Sequence, residues 1–552
     1  MIRFQTGTRD SRVVWKNFIL PAKDFSLVSD FRELVARHLG VDRDLIEGVE
    51  IIKKSLDARK KSRIVYNLQL GIEAKDQDAL LRNFDVLEVR KTKPAESPVA
   101  GLEYQGLSSR HKPIIIGSGP AGIFAALCLE DIGISSRIIE RGEEVGKRIK
   151  TVNKLRSRGG FNPESNFCFG EGGAGTFSDG KLTCGRNHPL VRYIFEKFIE
   201  YGGPDSIRYE AHPHIGTDFL LRIAKKMRDS LVSRGSEFHF NTAFKSFKDG
   251  GKKARYEVEL SNGEKLLTDH LILAIGHSAR DTYRYLYEKK LAIAPKPFAM
   301  GARIEHPQEV IDEIQYGQCS FLPAAEYKLT ARAGERGIWT FCMCPGGHLL
   351  PTGAQENHLA INGMSYHARN SGFANAAVVV NVLREDFYKG HPLDGMNFQA
   401  ELERKAFKFG GENYSAPAQR LNDFLAKRRS RGELKSTYKP GVVSARMDQV
   451  FPGFIGESLR SALTAYNQKM RGYLSDEALI VGLESKTSAP ITILRDKNLQ
   501  SISHPGLFPC GEGAGFAGGI VSAALDGLKV GKAVADDLRS SVSLRALANS
   551  VR

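Results

Sequence analysis

PIIIGSGPAGIFAALCLEDIGISSRIIERG, residues 113–142, decides how the rest of the chain is read. A short apolar run, Ile114–Ile116, is followed by the turn Gly117-Ser118-Gly119-Pro120-Ala121-Gly122. An Ala/Leu-rich stretch of helical length comes next, then a second apolar run that ends at Glu140, followed by Arg141. Each part has a physical task. Gly117 permits a tight turn, Gly119 lets backbone approach a pyrophosphate, and Gly122 lets the helix pack closely on the sheet. The helix start, with Pro120 and Ala121, offers free N–H groups and a positive dipole to phosphate. Glu140, 18 residues beyond Gly122, stands where a ribose diol would donate to a carboxylate. Strand, turn, helix, second strand and acid together predict a βαβ dinucleotide unit with a parallel sheet.

Downstream, ESNFCFGEGGAGTFSDGKLTCG (164–185) places Gly170, Gly172, Gly173, Gly175 and Gly180 within eleven residues. Such density costs conformational entropy and suits backbone that wraps a ligand closely. The interleaved Phe167, Phe169, Phe177 and Leu182 argue against a solvated linker. GTDFLLRIAKKMRDSLVSRG (216–235) reads as a helix and SEFHFNT (236–242) as a strand. Residues 245–278 read as a β-meander ending in the buried strand LILAIG, with Ala274 and Gly276 at its turn. No second GxGxxG follows. HPGLFPCGEGAGFAGGIVSAALDGLKVGKAVADDL (504–538) reads as strand, glycine turn (Gly511, Glu512, Gly513, Gly515) and a long helix beginning near Gly515.

Upstream, SDFRELVARHLG (29–40) is helical, stopped by Gly40. Residues 48–73 read as a strand, a basic turn and a strand, and DVLEVR (85–90) as a third strand. This predicts a small α/β module of ferredoxin-like or ubiquitin-like size. The expected division is 1–96 N-terminal module, 97–112 linker, 113–284 first part of the nucleotide-binding domain, 285–495 inserted mixed α+β substrate domain, 496–540 its C-terminal part, and 541–552 tail.

Composition bounds the function. The chain has 552 residues, 41% hydrophobic and 26% charged, as in ordinary multidomain globular proteins. No apolar run reaches the roughly 18 residues that span a bilayer, so no membrane role is expected. The N-terminus has no apolar core of a secretory signal. Seven cysteines, sparse and odd in number, suggest no disulfide framework and a reducing, cytoplasmic setting. Lys+Arg 79 against Asp+Glu 63 gives +16, which invites an anionic partner. Residues 1–100 hold 19 basic and 15 acidic residues, only +4, and no RNA-binding motif with paired aromatics is visible. Two basic clusters remain: Arg59, Lys60, Lys61, Arg63, and Lys427, Arg428, Arg429, Arg431.

The first glycine turn, LILAIG and FPCGEGAG together resemble the FAD-binding domain of the glutathione-reductase-like two-dinucleotide-binding-domain superfamily. There the terminal segment usually carries Gly-Asp; Gly511-Glu512 stands in its place. Nearly the whole chain resembles the bacterial FAD-dependent dehydrogenase proteins. The carrying segments are SLDARKKSRIVY (55–66), FGEGGAGTFSDGKLT (169–183), WTFCMCPGG (339–347), INGMSYHARNSGFANAAVVV (361–380), VGLESKTSAPITI (481–493) and GEGAGFAGGIVSAALDG (511–527). The resemblance implies FAD as cofactor, in a three-layer fold of parallel sheet and meander. Gly117, Gly119, Pro120, Ala121, Gly122, Glu140 and Arg141 then belong to the ADP half. Gly172, Gly173, Ala174, Gly175, Ser178 and Lys181 cover pyrophosphate and flavin, with Ala274 and Gly276 nearby. Gly511, Glu512, Gly513 and Gly515 hold the ribityl and pyrimidine end. It implies an FAD-dependent oxidoreductase that passes hydride to or from a small organic substrate, with NAD(P)H one candidate donor. An RNA-modifying flavoprotein and a non-catalytic flavin-binding scaffold are the alternatives.

The catalytic candidates are Cys342, Cys344 and Lys486. The CxC spacing of Cys342-Met343-Cys344 differs from the CxxC or CxxxxC of flavin disulfide reductases. It reads either as a redox pair or as the small apolar wall of a close glycine turn. Cys168 and Cys184 flank the glycine-rich loop. His212, His214 and His277 are further polar candidates, each either site or structural residue. No Cys/His spacing predicts a metal site.

Overall fold

The computed structural model describes residues 11–91, 95–100, 109–157, 160–183, 185 and 188–550, with side chains up to residue 540. Cys184, the middle of the 97–112 linker and the last two residues of the tail lie outside these. The βαβ unit forms as read. Ile114–Ile116 is the central strand of a five-stranded parallel sheet. Leu271–Leu273 and then Leu507–Pro509 lie on one side of it, and Arg137–Ile139 and then Glu237–His239 on the other.

Alternation along these short strands builds three layers. Ile115, Ile138, Ile272 and Phe508 point into the helical side, against the helix Pro120–Glu130 and the closing helix Ile520–Ser550. Ile114, Ile116, Ile139, Leu271 and Leu273 point the other way. They meet Phe247, Tyr256 and Val258 of the meander Phe244–Asp249, Tyr256–Leu260, Lys265–Thr268. Burial on both faces is why the three strands Ile114–Ile116, Leu271–Leu273 and Leu507–Pro509 are apolar throughout. The two helices touch along small residues. A Cβ on Gly527 would lie 2.1 Å from the Ala121 carbonyl oxygen, and one on Gly531 would lie 2.7 Å from Cys128 Cβ.

The chain leaves and re-enters this unit through a two-stranded ribbon, Ile293–Pro295 against Ile491–Ile493. Between them lies a seven-stranded sheet. Its order is Thr330–Ala333, Arg336–Cys344, Phe373–Val382, Phe298–Pro307, Leu479–Glu484, Ala416–Arg420, Val442–Ser444. The last pair is parallel and the others antiparallel. The helices Asp394–Phe409 and Gly453–Lys469 share its core.

The N-terminal module has four strands, one more than the sequence reading gave. Ser11–Pro21 was missed. Its apolar alternation is broken by a register shift between Trp15 and Phe18, so a period-two pattern does not run through it. The order Ile46–Asp57, Val65–Ala74, Ser11–Pro21, Leu87–Lys91, all antiparallel, with helices Phe31–Leu39 and Gln77–Asn83, is the βαββαβ arrangement. The ferredoxin-like alternative is therefore the correct one. The module's edge strand docks on the nucleotide-binding unit. Lys54 N–H donates to the Tyr209 carbonyl (2.7 Å), Ala211 N–H donates to the Lys54 carbonyl (2.9 Å), and Lys54 Nζ meets Glu210 (2.9 Å). No described helix is long and apolar enough to cross a membrane.

Candidate active site

The glycine segments converge in three dimensions. Gly117 (φ 104°) sits where an added Cβ would lie 2.3 Å from the Ala274 carbonyl oxygen. At Gly173 (φ 63°) a Cβ would come within 3.1 Å of Gly119 Cα, so the glycine-rich loop rides on the first turn. Gly172 N–H also donates to the Ser118 carbonyl (3.1 Å). The helix Pro120–Glu130 has no side-chain cap at Gly119, which leaves its first N–H groups for an anion. We expect Gly117→Ala to purify without flavin absorbance and to lose about 3 kcal/mol or more of stability in denaturant titration. The methyl both collides with backbone and requires a left-handed conformation.

Glu140 is buried and accepts four protein hydrogen bonds. One oxygen takes Ser118 N–H (3.0 Å) and Ser118 Oγ (2.7 Å); the other takes Gly142 N–H (3.0 Å) and Gly170 N–H (2.9 Å). These fill a carboxylate's four acceptor positions. Its first task here is to pin the first turn to the glycine-rich loop. Arg141 binds Glu164 and Asp281 and lies over the Phe169 ring, 4.4 Å from its centroid.

Arg148 was not foreseen. It is fully buried on the helix Val145–Arg156 and donates to the carbonyls of Asn166, Phe167, Gly170, Glu171 and Gly173, at 2.7–3.2 Å. No carboxylate is among its bonded partners, and burial pushes its pKa down to about 10. Only its place in a basic helix just before the glycine-rich loop hinted at this.

A cavity of roughly 820 Å3 runs from these turns to the seven-stranded sheet, within the usual 300–1,000 Å3 of cofactor and substrate sites. Gly117, Gly119, Pro120, Ala121, Glu140 and Arg141 line one part, with Gly173, Ala174, Gly175, Ser178, Ala274 and Gly276. Lys181, His212, His277, Cys168, Glu512 and Lys486 line it further on, with Cys342 and the rings of Tyr327, Trp339 and Phe341. Gly122, Gly172, Gly511, Gly513, Gly515 and Cys344 stand outside the lining. Gly122 does the packing task assigned to it: a Cβ there would lie 2.0 Å from the Gly117 carbonyl oxygen. The closing helix begins at Ile520, not near Gly515. Gly515 (φ 89°) caps the short 3-10 turn Glu512–Ala514, so the chain must turn before a helix can start.

Charges gather in three groups around the cavity. Asp179, buried, joins Lys181 (3.1 Å) and Arg369 (2.7 Å). Lys181 also meets Glu326 (3.3 Å). Burial alone would raise Glu326, but the His212 hydrogen bond with Lys181 and Arg369 hold it down to about 2. His214 stacks on His367, and burial beside Arg369 pushes it down to about 4. In the second group, Glu403 accepts from Arg280 (2.9 Å) and Ser485 Oγ (2.6 Å) and faces Lys486 Nζ (3.1 Å). Lys486 Nζ is buried and makes no hydrogen bond. In the third, Arg303 binds Glu484 (2.9 Å) and donates to the Cys342 carbonyl (2.8 Å). His277, between Ser278 Oγ and the Ser488 carbonyl, is held neutral by burial and by Lys486. Among the described residues no group of three or more His, Cys, Asp or Glu is placed to hold a metal ion.

Burial raises the Glu512 carboxyl from its ordinary 4.5 to about 7, against Lys296 and Lys486. The folded state therefore holds this proton where the unfolded chain has released it. The stability it contributes is present below pH 4.5 and lost as pH rises to about 7, about 3 kcal/mol in all. Urea midpoints of the flavin-free protein at pH 4.5–8 are expected to show this fall. Glu512→Gln is expected to flatten it.

Nine-tenths of the chain matches a known relative. It is 41% identical over 507 residues, 90% of this chain and 94% of the other, to an uncharacterized protein of Clostridium beijerinckii. Residues 297–487 match the family described as FAD-dependent protein, C-terminal domain-like, and residues 17–73 match a domain of unknown function. Among solved structures, tetracycline destructase Tet(51) is 13% identical, covering 78% of this chain and 82% of that one, with a TM-score of 0.33. A flavoprotein/dehydrogenase from Cytophaga hutchinsonii is 13% identical over 78% and 79%, with a TM-score of 0.32. At these scores neither speaks to substrate. The glycine cradle, the uncapped helix start and the match of residues 297–487 to the FAD-dependent protein C-terminal domain agree: the chain belongs to one family with its Clostridium relative, carries that domain, and has FAD as its cofactor.

Proposed function

We propose that this chain is an FAD-dependent oxidoreductase that exchanges hydride with a small organic substrate held against the seven-stranded sheet. The carrying observation is the continuity of the cavity. One wall is the glycine cradle; the other is Lys486, Cys342 and the rings of Tyr327, Trp339 and Phe341. FAD when bound supplies a two-electron couple. The chain's own residues do the rest. The turn at Gly117–Gly122 and the helix start at Pro120 bind the pyrophosphate. Glu140 keeps turn and loop in register. Glu512 lines the far end, carried on the turn Gly511–Gly515, and holds a proton near neutral pH. Lys181 and Lys486 present cations to an anionic or polarised substrate atom, and the three rings exclude water. The substrate itself, or NAD(P)H, is the electron source. The sparse cysteines fit a reducing, cytoplasmic setting.

The surface favours a small-molecule substrate over RNA. Arg59 is tied to Asp57, Lys61 to the Glu313 carbonyl, Lys427 to Glu457, Arg428 to Asp423 and Arg429 to the Ser444 carbonyl. Five of the eight basic side chains in the two clusters are thus paired within the fold. The test is anaerobic reduction of the purified yellow protein with NADH, NADPH and a panel of metabolites, followed in the flavin band. Bleaching by one of them and recovery on adding an acceptor support the reading. A protein that neither retains nor rebinds FAD would overturn it. Retained FAD that no compound reduces would instead favour the scaffold, and a salt-dependent gel shift with total tRNA would favour RNA.

A further inference from the structure

The strand Arg336–Cys344 carries a bulge. Phe341 pairs with Ala377 and Cys344 with Asn375, so one extra residue is inserted between them. Bulges re-aim side chains, often beside sites. Here the bulge turns Cys342 into the cavity with a left-handed backbone (φ 44°), which a non-glycine residue adopts only when its surroundings hold it. Arg303, itself fully buried, donates to the Cys342 carbonyl and fixes that conformation. Two residues on, Cys344 is completely buried, and its thiol donates to the same Cys342 carbonyl (3.3 Å). Gly347 and Gly363 leave it no spare room: a Cβ on either would lie within 3.0 Å of Cys344 atoms.

The two thiols therefore differ in kind. Cys342 faces the cavity, and Cys344 is covered by protein. The neighbouring Cys344 thiol, with Arg303 and Lys181, favours the Cys342 thiolate, while burial and that thiolate keep Cys344 protonated. A half-buried, cavity-facing thiolate backed by a buried thiol is the arrangement of attacking and resolving cysteines. A wall of small apolar residues would need neither the strained backbone nor the cationic surroundings.

We propose that Cys342 and Cys344 form a second two-electron centre, a dithiol–disulfide couple that exchanges electrons with the FAD bound in the same cavity. The inference rests on the preceding reading of that cavity. In the oxidising direction the Cys342 thiolate and the Cys344 thiol form one S–S bond, and the Cys344 S–H bond breaks. Two electrons and that one proton pass to oxidised FAD, which becomes the singly protonated reduced flavin. The reverse direction restores thiolate and thiol, and no further reductant or oxidant enters.

Anaerobic titration of the oxidised FAD-loaded protein with dithionite counts the electrons. Wild type is expected to take up four electrons per FAD, and Cys342→Ser and Cys344→Ser two each with the flavin retained. Intact mass of peptide 336–348 after alkylation is the second readout. Oxidised wild type is expected to stay unlabelled at both cysteines, and reduced protein to carry two labels. Retained FAD with uptake of only two electrons in wild type, or full labelling of both cysteines in the oxidised protein, would overturn the couple and leave the oxidoreductase reading standing. A protein that holds no FAD would overturn both, and its flavin spectrum reports this before titration begins.

Discussion

Arg148→Met is expected to abolish FAD retention and to lower stability by about 5 kcal/mol, read as the urea midpoint and the flavin content of the purified protein. Two effects compete. The wild-type guanidinium is buried without a carboxylate partner, and burial lowers its pKa from 12.5 to about 10, which corresponds to a cost of about 3 kcal/mol for the charge. Methionine relieves that cost. It also strands the five carbonyls of Asn166, Phe167, Gly170, Glu171 and Gly173, each worth about 1–3 kcal/mol when buried and unpaired. The second sum wins unless water enters at every position. Gly170 leaves little space for water, since a Cβ there would lie 2.4 Å from Arg148 Cδ. Total stability is about 5–15 kcal/mol for ordinary domains, so the loop is expected to melt first and the cradle with it. Arg148→Lys reaches at most three acceptors and is expected to recover part of the stability.

Arg148 also marks where sequence reading stops. Gly117, Gly119 and Gly122 were legible because short-range geometry alone demands glycine at a strand–helix turn. The glycine-rich loop was legible as backbone that wraps something, and the structure adds that Gly173 meets Gly119. What holds that loop was not legible, because five carbonyl acceptors have no residue-type signature and a buried arginine looks like any other in a basic helix. The ion groups were hidden for a related reason. Arg280 of the nucleotide-binding unit meets Glu403 of the inserted region across 123 residues, and Arg303 meets Glu484 across 181 where their two strands pair in the seven-stranded sheet, contacts that no local pattern marks. Of the catalytic candidates, Cys342 and Lys486 do reach the cavity, while Cys344 lies beneath it. The strand Ser11–Pro21 was lost to a bulge, and the closing helix was begun five residues early because Gly515 turns the chain.

Glu403→Gln is the other substitution with a large expected effect, and it separates stability from chemistry. One buried carboxylate serves Arg280, Ser485 and Lys486 at once. Its pKa is held well below the ordinary 4.5: burial opposes ionisation, but Arg280 and Lys486 outweigh it. The stability it contributes is therefore present above pH 4.5 and lost as pH falls toward the folded value. Glutamine keeps the shape and removes the charge, leaving two buried cations without their counter-charge. Breaking such a group costs about 3–5 kcal/mol, and the acid limb of the stability profile is expected to flatten in the variant. Lys486→Met should behave differently. It removes the cation whose Nζ has no hydrogen bond and leaves Glu403 paired to Arg280. Its stability is expected to fall by no more than about 1–2 kcal/mol, because Glu403 keeps Arg280 as counter-charge and the cost of burying the Lys486 cation is relieved. Yet if Lys486 presents its charge to substrate, reduction of the flavin by that substrate should slow by a factor of about 100 or more in Lys486→Met, as for loss of one preorganised electrostatic group. In the double variant only Arg280 loses its counter-charge, so its stability should exceed the sum of the singles by about 1–3 kcal/mol. Additive losses with wild-type rates in Lys486→Met would instead make the group purely structural, with substrate bound nearer Lys181.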